Sequence, residues 1–140
     1  MGPEAARIED VRAWLRKAEL DLRAAAHEIS APEACLSADV VFHAQQAAEK
    51  ALKAFLAWHD VPFRKTHNIE ELGRQCVDLD ATLRALADQA VPLTEYAWKF
   101  RYPGEVEEPT HEEAVQALST ARRVYEAILT RLPPAAVPQA

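Results

Sequence analysis

Glycine is scarce in this chain, with three among 140 residues, and cysteine is scarcer, with two. Glycines at positions 2, 73 and 104 alone leave no Gly-rich loop that could cradle a phosphate, which removes the nucleotide-binding folds built on such loops. Cys35 and Cys76 have neither CxxC nor ligand-like spacing and are read as reduced thiols packed like small hydrophobes. No two histidines stand in HxxxH or HExxH register, so no metal site is expected, and no GxSxG nucleophile signature exists. Basic charge is also short. Sixteen Lys and Arg face 22 Asp and Glu, for a net charge of −6, which argues against coating a nucleic acid through broad counterion release while leaving room for a local basic site. No apolar run approaches the ~20 residues of a membrane helix, and the first residues lack the apolar stretch of a signal peptide. The expectation is a cytoplasmic protein in solution.

What is present suits packed helices: 49% of the residues are apolar and 27% charged, and the length fits one domain. Ile8, Val11, Leu15, Ala18, Leu22, Ala25 and Ile29 alternate steps of three and four, which predicts a long amphipathic helix ending near Ser30-Ala31-Pro32. Ser37 is read as the N-cap of a second helix reaching about His59 and stopped by Val61-Pro62, with the stripe Val41, Ala44, Ala48, Leu52 and Phe55. Its small residues invite a close neighbour, so this helix should be central.

Asn68 with Glu71 fits a capping box for a short third helix. Asp80 opens a fourth helical stretch, which Pro92 must kink before the pattern resumes through Leu93, Tyr96, Ala97 and Phe100. Thr110 with Glu113 forms a second capping box ahead of a helix carrying Ala114, Leu118, Ala121, Tyr125, Ile128 and Leu132. No segment alternates with period two. The reading is all-α, an up-and-down bundle of four or five helices over residues 1–132, followed by a flexible Pro/Ala-rich tail over 133–140.

Three places could carry chemistry. On the second helix, His43, Gln46, Lys50 and Lys53 are spaced three, four and three apart and share one face, which can offer cations to phosphate and hydrogen bonds to a base or sugar. The blander alternative is an interface seam for His43 and Gln46 and a solvated face for the lysines, with Glu49 pairing Lys53. Tyr96, Trp98, Lys99, Phe100, Arg101 and Tyr102 interleave aromatics with cations, a mix suited to stacking a base and clamping a phosphate; Tyr96 and Phe100 belong to the apolar stripe, so Arg101 is the functional candidate. His67 precedes a helix start beside Arg64 and Lys65, where it could face an anion or simply pack.

The run from Phe42 to Leu56, FHAQQAAEKALKAFL, followed by Thr66-His67 and then by Arg101-Tyr102-Pro103, resembles the HEPN family over roughly Arg12 to Leu132. That resemblance implies a helical bundle that binds nucleotide, for which the candidate residues here are His43, Gln46, Lys50, Lys53, His67, Arg101 and Tyr102. One branch of the family consists of metal-independent ribonucleases with four to six residues between an Arg and a following His, the histidine taking a proton from the ribose 2′-hydroxyl and the arginine stabilising charge on phosphorus. No such spacing exists here, and the nearest substitute is Arg101 with His111, joined by an acidic loop. The other branch implies a non-catalytic accessory or substrate-binding partner of a minimal nucleotidyltransferase, with a bound nucleotide such as ATP and no other cofactor. That is the leading expectation. In related toxin-antitoxin pairs the nucleotidyltransferase adenylylates a tyrosine of the HEPN toxin, for which Tyr102 or Tyr96 would be the acceptor here. A pure oligomerisation module is the third reading, and a homodimer or larger assembly is expected in all three; RNA is a partner only on the ribonuclease reading.

Overall fold

The computed structural model describes residues 2–31, 36–104 and 107–138. Among these are five α-helices and no strand: α1 (Pro3–Ile29), α2 (Ser37–Trp58), α3 (Ile69–Leu79), α4 (Arg84–Ala90) and α5 (His111–Leu129). The expectation for Cys35 lies outside the described residues, as do the loop positions Glu105 and Val106.

The centre of the bundle is α2, packed along α1 on one side and α5 on the other. Its apolar residues explain why. Ala44, Ala47, Ala48, Ala51 and Ala54 are all fully buried, and side chains this small let neighbouring backbones approach closely. Between them Val41, Leu52, Phe55 and Leu56 fill the core against Val11 and Leu15 of α1 and Leu118, Val124 and Ile128 of α5. Fully burying a side chain of the Leu or Phe class contributes about 1.5–3 kcal/mol, so this layer holds most of the fold's stability. Tyr125 of α5 also reaches α1, where its hydroxyl donates to Glu19 Oε2 at 3.5 Å; burial, with the Glu19 charge nearby, pushes its pKa up to about 12. Cys76 is buried in α3, its thiol likewise pushed to about 12 by burial.

The helix ends show where local sequence decided and where it did not. Thr110 and Glu113 form the reciprocal capping box, each side chain bonded to the other's backbone N–H. Asn68 caps α3 by accepting from the Glu71 amide, but Glu71's own carboxylate turns to Arg64, so only half of that box forms. Ser37 is not the cap of α2: Leu36 occupies the cap position, without a side-chain bond, and Ser37 is the first helical residue. At the far end of α2, Asp60 adopts φ 56°, with its amide on Ala57 O and that of Val61 on Leu56 O. This is a Schellman termination with aspartate where glycine is usual, and it turns the chain sharply ahead of Pro62.

At three places the structure goes beyond or departs from the sequence reading. α1 begins at Pro3, ahead of the first stripe residue Ile8, because a proline in the first turn has no amide to leave unpaired and Glu4, Ala5 and Ala6 continue the helix without adding to the apolar stripe. After Pro92 the α-helix does not resume. Residues Val91–Ala97 tighten into a 3-10 helix, since the proline supplies no N–H and its ring crowds the carbonyl four residues back. The segment expected as a free tail instead forms a 3-10 turn over Pro134–Ala136, with Ala136 fully buried against α1 and the Arg12 guanidinium donating to the Ala135 carbonyl.

Candidate functional site

The polar face of α2 divides into two clusters of different character. The inner one centres on Glu49, which is almost wholly buried. Its Oε1 accepts from Gln45 Nε2 at 3.0 Å and from His67 Nδ1 at 2.7 Å, and its Oε2 accepts from Lys53 Nζ at 2.8 Å. Gln45, also fully buried, donates to the His67 carbonyl at 3.1 Å and accepts from Gln46 Nε2 at 2.6 Å. Lys53 sits 5.4 Å from the Trp14 ring and 5.7 Å from the Phe63 ring, which shield it from water. Every polar atom of the Glu49 carboxylate is thus satisfied, as a buried charge requires. The Glu49–Lys53 pair weighed from sequence is present, but the solvated face expected for the lysines is not. Lys53 is buried, and with Gln46 and His67 it serves to bind the loop before α3 onto α2.

The outer cluster lies where the second half of α1, the first half of α2 and the segment Trp98–Gly104 meet. Asp21 of α1 acts as a fork, with Oδ1 accepting from His43 Nδ1 at 3.1 Å and Oδ2 accepting from Lys50 Nζ at 2.7 Å. The other ring nitrogen of His43 lies 3.7 Å from Glu28 Oε1. Immediately before His43, Phe42 carries the Arg101 guanidinium 3.9 Å above its ring, and Arg101 Nη1 stands 3.5 Å from Asp39 Oδ1. His43 meets the same Phe42 ring edge to face, at 5.6 Å between centroids. His43 and Arg101 therefore flank one aromatic ring although 57 residues of sequence lie between them. Alongside, Trp98 and Tyr102 are 60% and 80% exposed, large aromatic surfaces facing solvent, while Tyr96 and Phe100 stack on each other at 5.9 Å and are partly buried, as their place in the stripe implied.

The electrostatics of this cluster have a definite sign. The hydrogen bond to Asp21, helped by the Glu28 charge, raises the pKa of His43 above its ordinary value against the opposing effect of burial. Burial raises that of Glu28, with His43 opposing and Asp39 adding to it. Both groups bind protons more tightly folded than unfolded: the stability from His43 is complete below its unfolded value of about 6.5 and is lost as pH climbs through the raised one, whereas that from Glu28 is complete only below the ordinary glutamate value of about 4.3 and is lost as pH passes its own raised one. The urea midpoint is expected to be higher at pH 6 than at pH 8, and His43→Gln should flatten most of that difference; an equal drop in both proteins would assign the dependence elsewhere.

His111 stands apart. It lines a groove of about 530 Å³ with Ala26 and Ile29 of α1 and Val115, Leu118 and Arg122 of α5, and no contact among the described residues joins it to Arg101. Folding therefore brings Arg101 together with His43 and not with His111. Asp21, Glu28 and Asp39 are the members that the sequence reading missed. The only signal for them was their placement on helices next to a basic stripe, which no local spacing reveals. Among the described residues no group of three or more His, Cys, Asp or Glu side chains is arranged to hold a metal ion.

The HEPN domain model matches residues 11–132, nearly the whole bundle. The chain belongs to the HEPN family. The crystal structure of ST0689, an archaeal HEPN homologue, is similar to it at a TM-score of 0.68 and 25% identity, covering 86% of this chain and 96% of that one. No curated protein matches significantly. In this HEPN chain FHAQQAAEKALKAFL is the central helix: its alanines and leucines make the core, its Gln45, Glu49 and Lys53 make the inner network, and Phe42, His43 and Lys50 supply the outer cluster. The Thr66-His67 element is the clamped loop, and Arg101-Tyr102-Pro103 brings its arginine to Phe42. No helix among the described residues is long and apolar enough to cross a membrane.

Proposed function

We propose that this HEPN protein binds a nucleotide at the outer cluster and acts as the non-catalytic, substrate-holding partner of a minimal nucleotidyltransferase, itself assembling as a dimer. The observation that supports this reading most is the convergence of His43 and Arg101 on Phe42 beside the exposed rings of Trp98 and Tyr102. A guanidinium laid flat on an aromatic ring keeps its N–H edge available for a phosphate, and an exposed indole or phenol offers a face for a base. Lys50 and Lys53 take no direct part on this reading, since each is already bonded to a carboxylate. The phosphate contact falls to Arg101, because both ring nitrogens of His43 already face Asp21 and Glu28.

Calorimetric titration of the purified protein with ATP tests the proposal. Saturable binding is expected, weakened at least about ten-fold in Arg101→Ala, as loss of a charge-assisted hydrogen bond implies, and weakened also in Trp98→Ala. Absence of binding at millimolar nucleotide would overturn it. The same convergence of a histidine and an arginine favours metal-independent RNA cleavage as the second reading. Cleavage of structured RNA in EDTA that disappears in both His43→Ala and Arg101→Ala would replace the accessory role with that of a ribonuclease.

A further inference from the structure

We infer that Asp39 is a built-in competitor for the anion site, occupying the guanidinium of Arg101 until a phosphate displaces it; this inference rests on the nucleotide-binding reading above. Asp39 lies in the first turn of α2, and its carboxylate is the one acid paired with Arg101 among the described residues. The pair is loose. A single N–O separation of 3.5 Å exceeds that of a charge-assisted hydrogen bond, and neither N–H edge of the guanidinium is engaged in the two-point fashion that carboxylates and phosphates usually adopt with arginine. Both partners are accessible, with side chains 41% and 47% exposed, so neither is held in place by burial.

The other members of the cluster are held differently. Asp21 and Lys50 are mostly buried and bonded at 2.7 Å, and His43 is shared between Asp21 and Glu28. A ligand would have to dismantle that network to recruit them. Arg101 is also fixed from below, by Phe42, and needs no rearrangement to receive a two-oxygen anion at its edge. An exposed single-contact pair is weak and screened by salt, so a phosphate that bonds through two oxygens displaces the carboxylate readily. Asp39 nevertheless remains a few ångströms away as a like charge, and it therefore sets the affinity threshold of the site. A weakly bound monoanion gains little there, while a di- or triphosphate has enough charge to win.

The test titrates ATP and inorganic pyrophosphate into four full-length proteins: the unmodified chain, Asp39→Asn, Arg101→Ala and the double variant. Asparagine keeps the size of Asp39 and is tolerated in a first helical turn. The expected result is affinity raised roughly five-fold or more by Asp39→Asn when Arg101 is present, little or no gain from the same change on the Arg101→Ala background, and a smaller gain at high salt. Unchanged or weakened binding in Asp39→Asn, with the unmodified chain binding normally, overturns this inference and leaves the nucleotide reading standing. Equal gains on both backgrounds also overturn it, because they reduce Asp39 to a general negative charge. Failure of all four proteins to bind overturns the nucleotide reading and this inference with it.

Discussion

Replacing Lys53 with alanine is expected to destabilise the protein by about 3–5 kcal/mol, the cost of leaving a buried carboxylate without its counter-charge. Lys53 Nζ is the ammonium bonded to Glu49, at 2.8 Å, and both side chains are more than 90% removed from solvent. Gln45 and His67 would still donate to Glu49, but a carboxamide carries no charge and the His67 side chain is 66% exposed, so neither replaces a buried ammonium. The loss is therefore larger than an ordinary i,i+4 surface pair would give, for which a few tenths of a kcal/mol is typical. Urea denaturation of both proteins at pH 7 measures it. The double variant Glu49→Gln/Lys53→Met separates charge from packing: with both charges gone and an acceptor kept for His67, most of the stability should return. A single-variant loss under about 1 kcal/mol would mean that water reaches Glu49.

Phe55→Ala is expected to cost a similar 3–5 kcal/mol for a different reason. The ring is buried to within 1% of its surface in the layer between α1 and α5, and it is among the largest fully enclosed side chains of the molecule. Around it stand alanines on the same helix, which have no flexible atoms to move into the space, so the cavity should stay open and the transfer and cavity costs should add. One edge contact, with His59 at 4.6 Å, is lost as well. Phe55→Leu keeps much of the volume and should lose well under half as much. Should Phe55→Ala prove nearly neutral in the same denaturation assay, the α1–α2–α5 layer is not the main source of stability.

The bundle was legible where one-dimensional signals are strong. The residues whose spacing marks the stripes of α2 and α5 are all buried, and the Thr110–Glu113 box starts α5 where expected, because spacing and capping are local properties of the chain. Features decided at a distance were not legible. Nothing near Lys50 or His43 announces Asp21, which lies 29 and 22 residues away on what reads as the solvent face of α1. Spacing places four polar residues on one helical face and leaves an anion site, an interface seam and a solvated face open for them; tertiary packing puts Lys53 and Gln46 in a buried network and Lys50 in an internal ion pair. Arg101 stands out locally as a cation among aromatics, but its partners Phe42 and Asp39 belong to a helix some 60 residues earlier. Local geometry also misled at Ser37 and after Pro92, where a good propensity was overridden by the path the chain must take.

The clamp on His67 has a bearing on motion. The connection between α2 and α3 has no regular structure of its own and much exposed backbone, the profile of a segment that opens independently of the core. Here the loop is tied through His67 to a carboxylate inside α2, and the next amides are held by Thr66 and Thr94. To swing out it must break contacts whose loss exposes the Glu49–Lys53 pair. The amides of Asn68 and Ile69, which the Thr66 and Thr94 hydroxyls hold, should therefore exchange with solvent more slowly than the unbonded amides before them, so that one end of an irregular stretch of chain keeps a slower clock than the other.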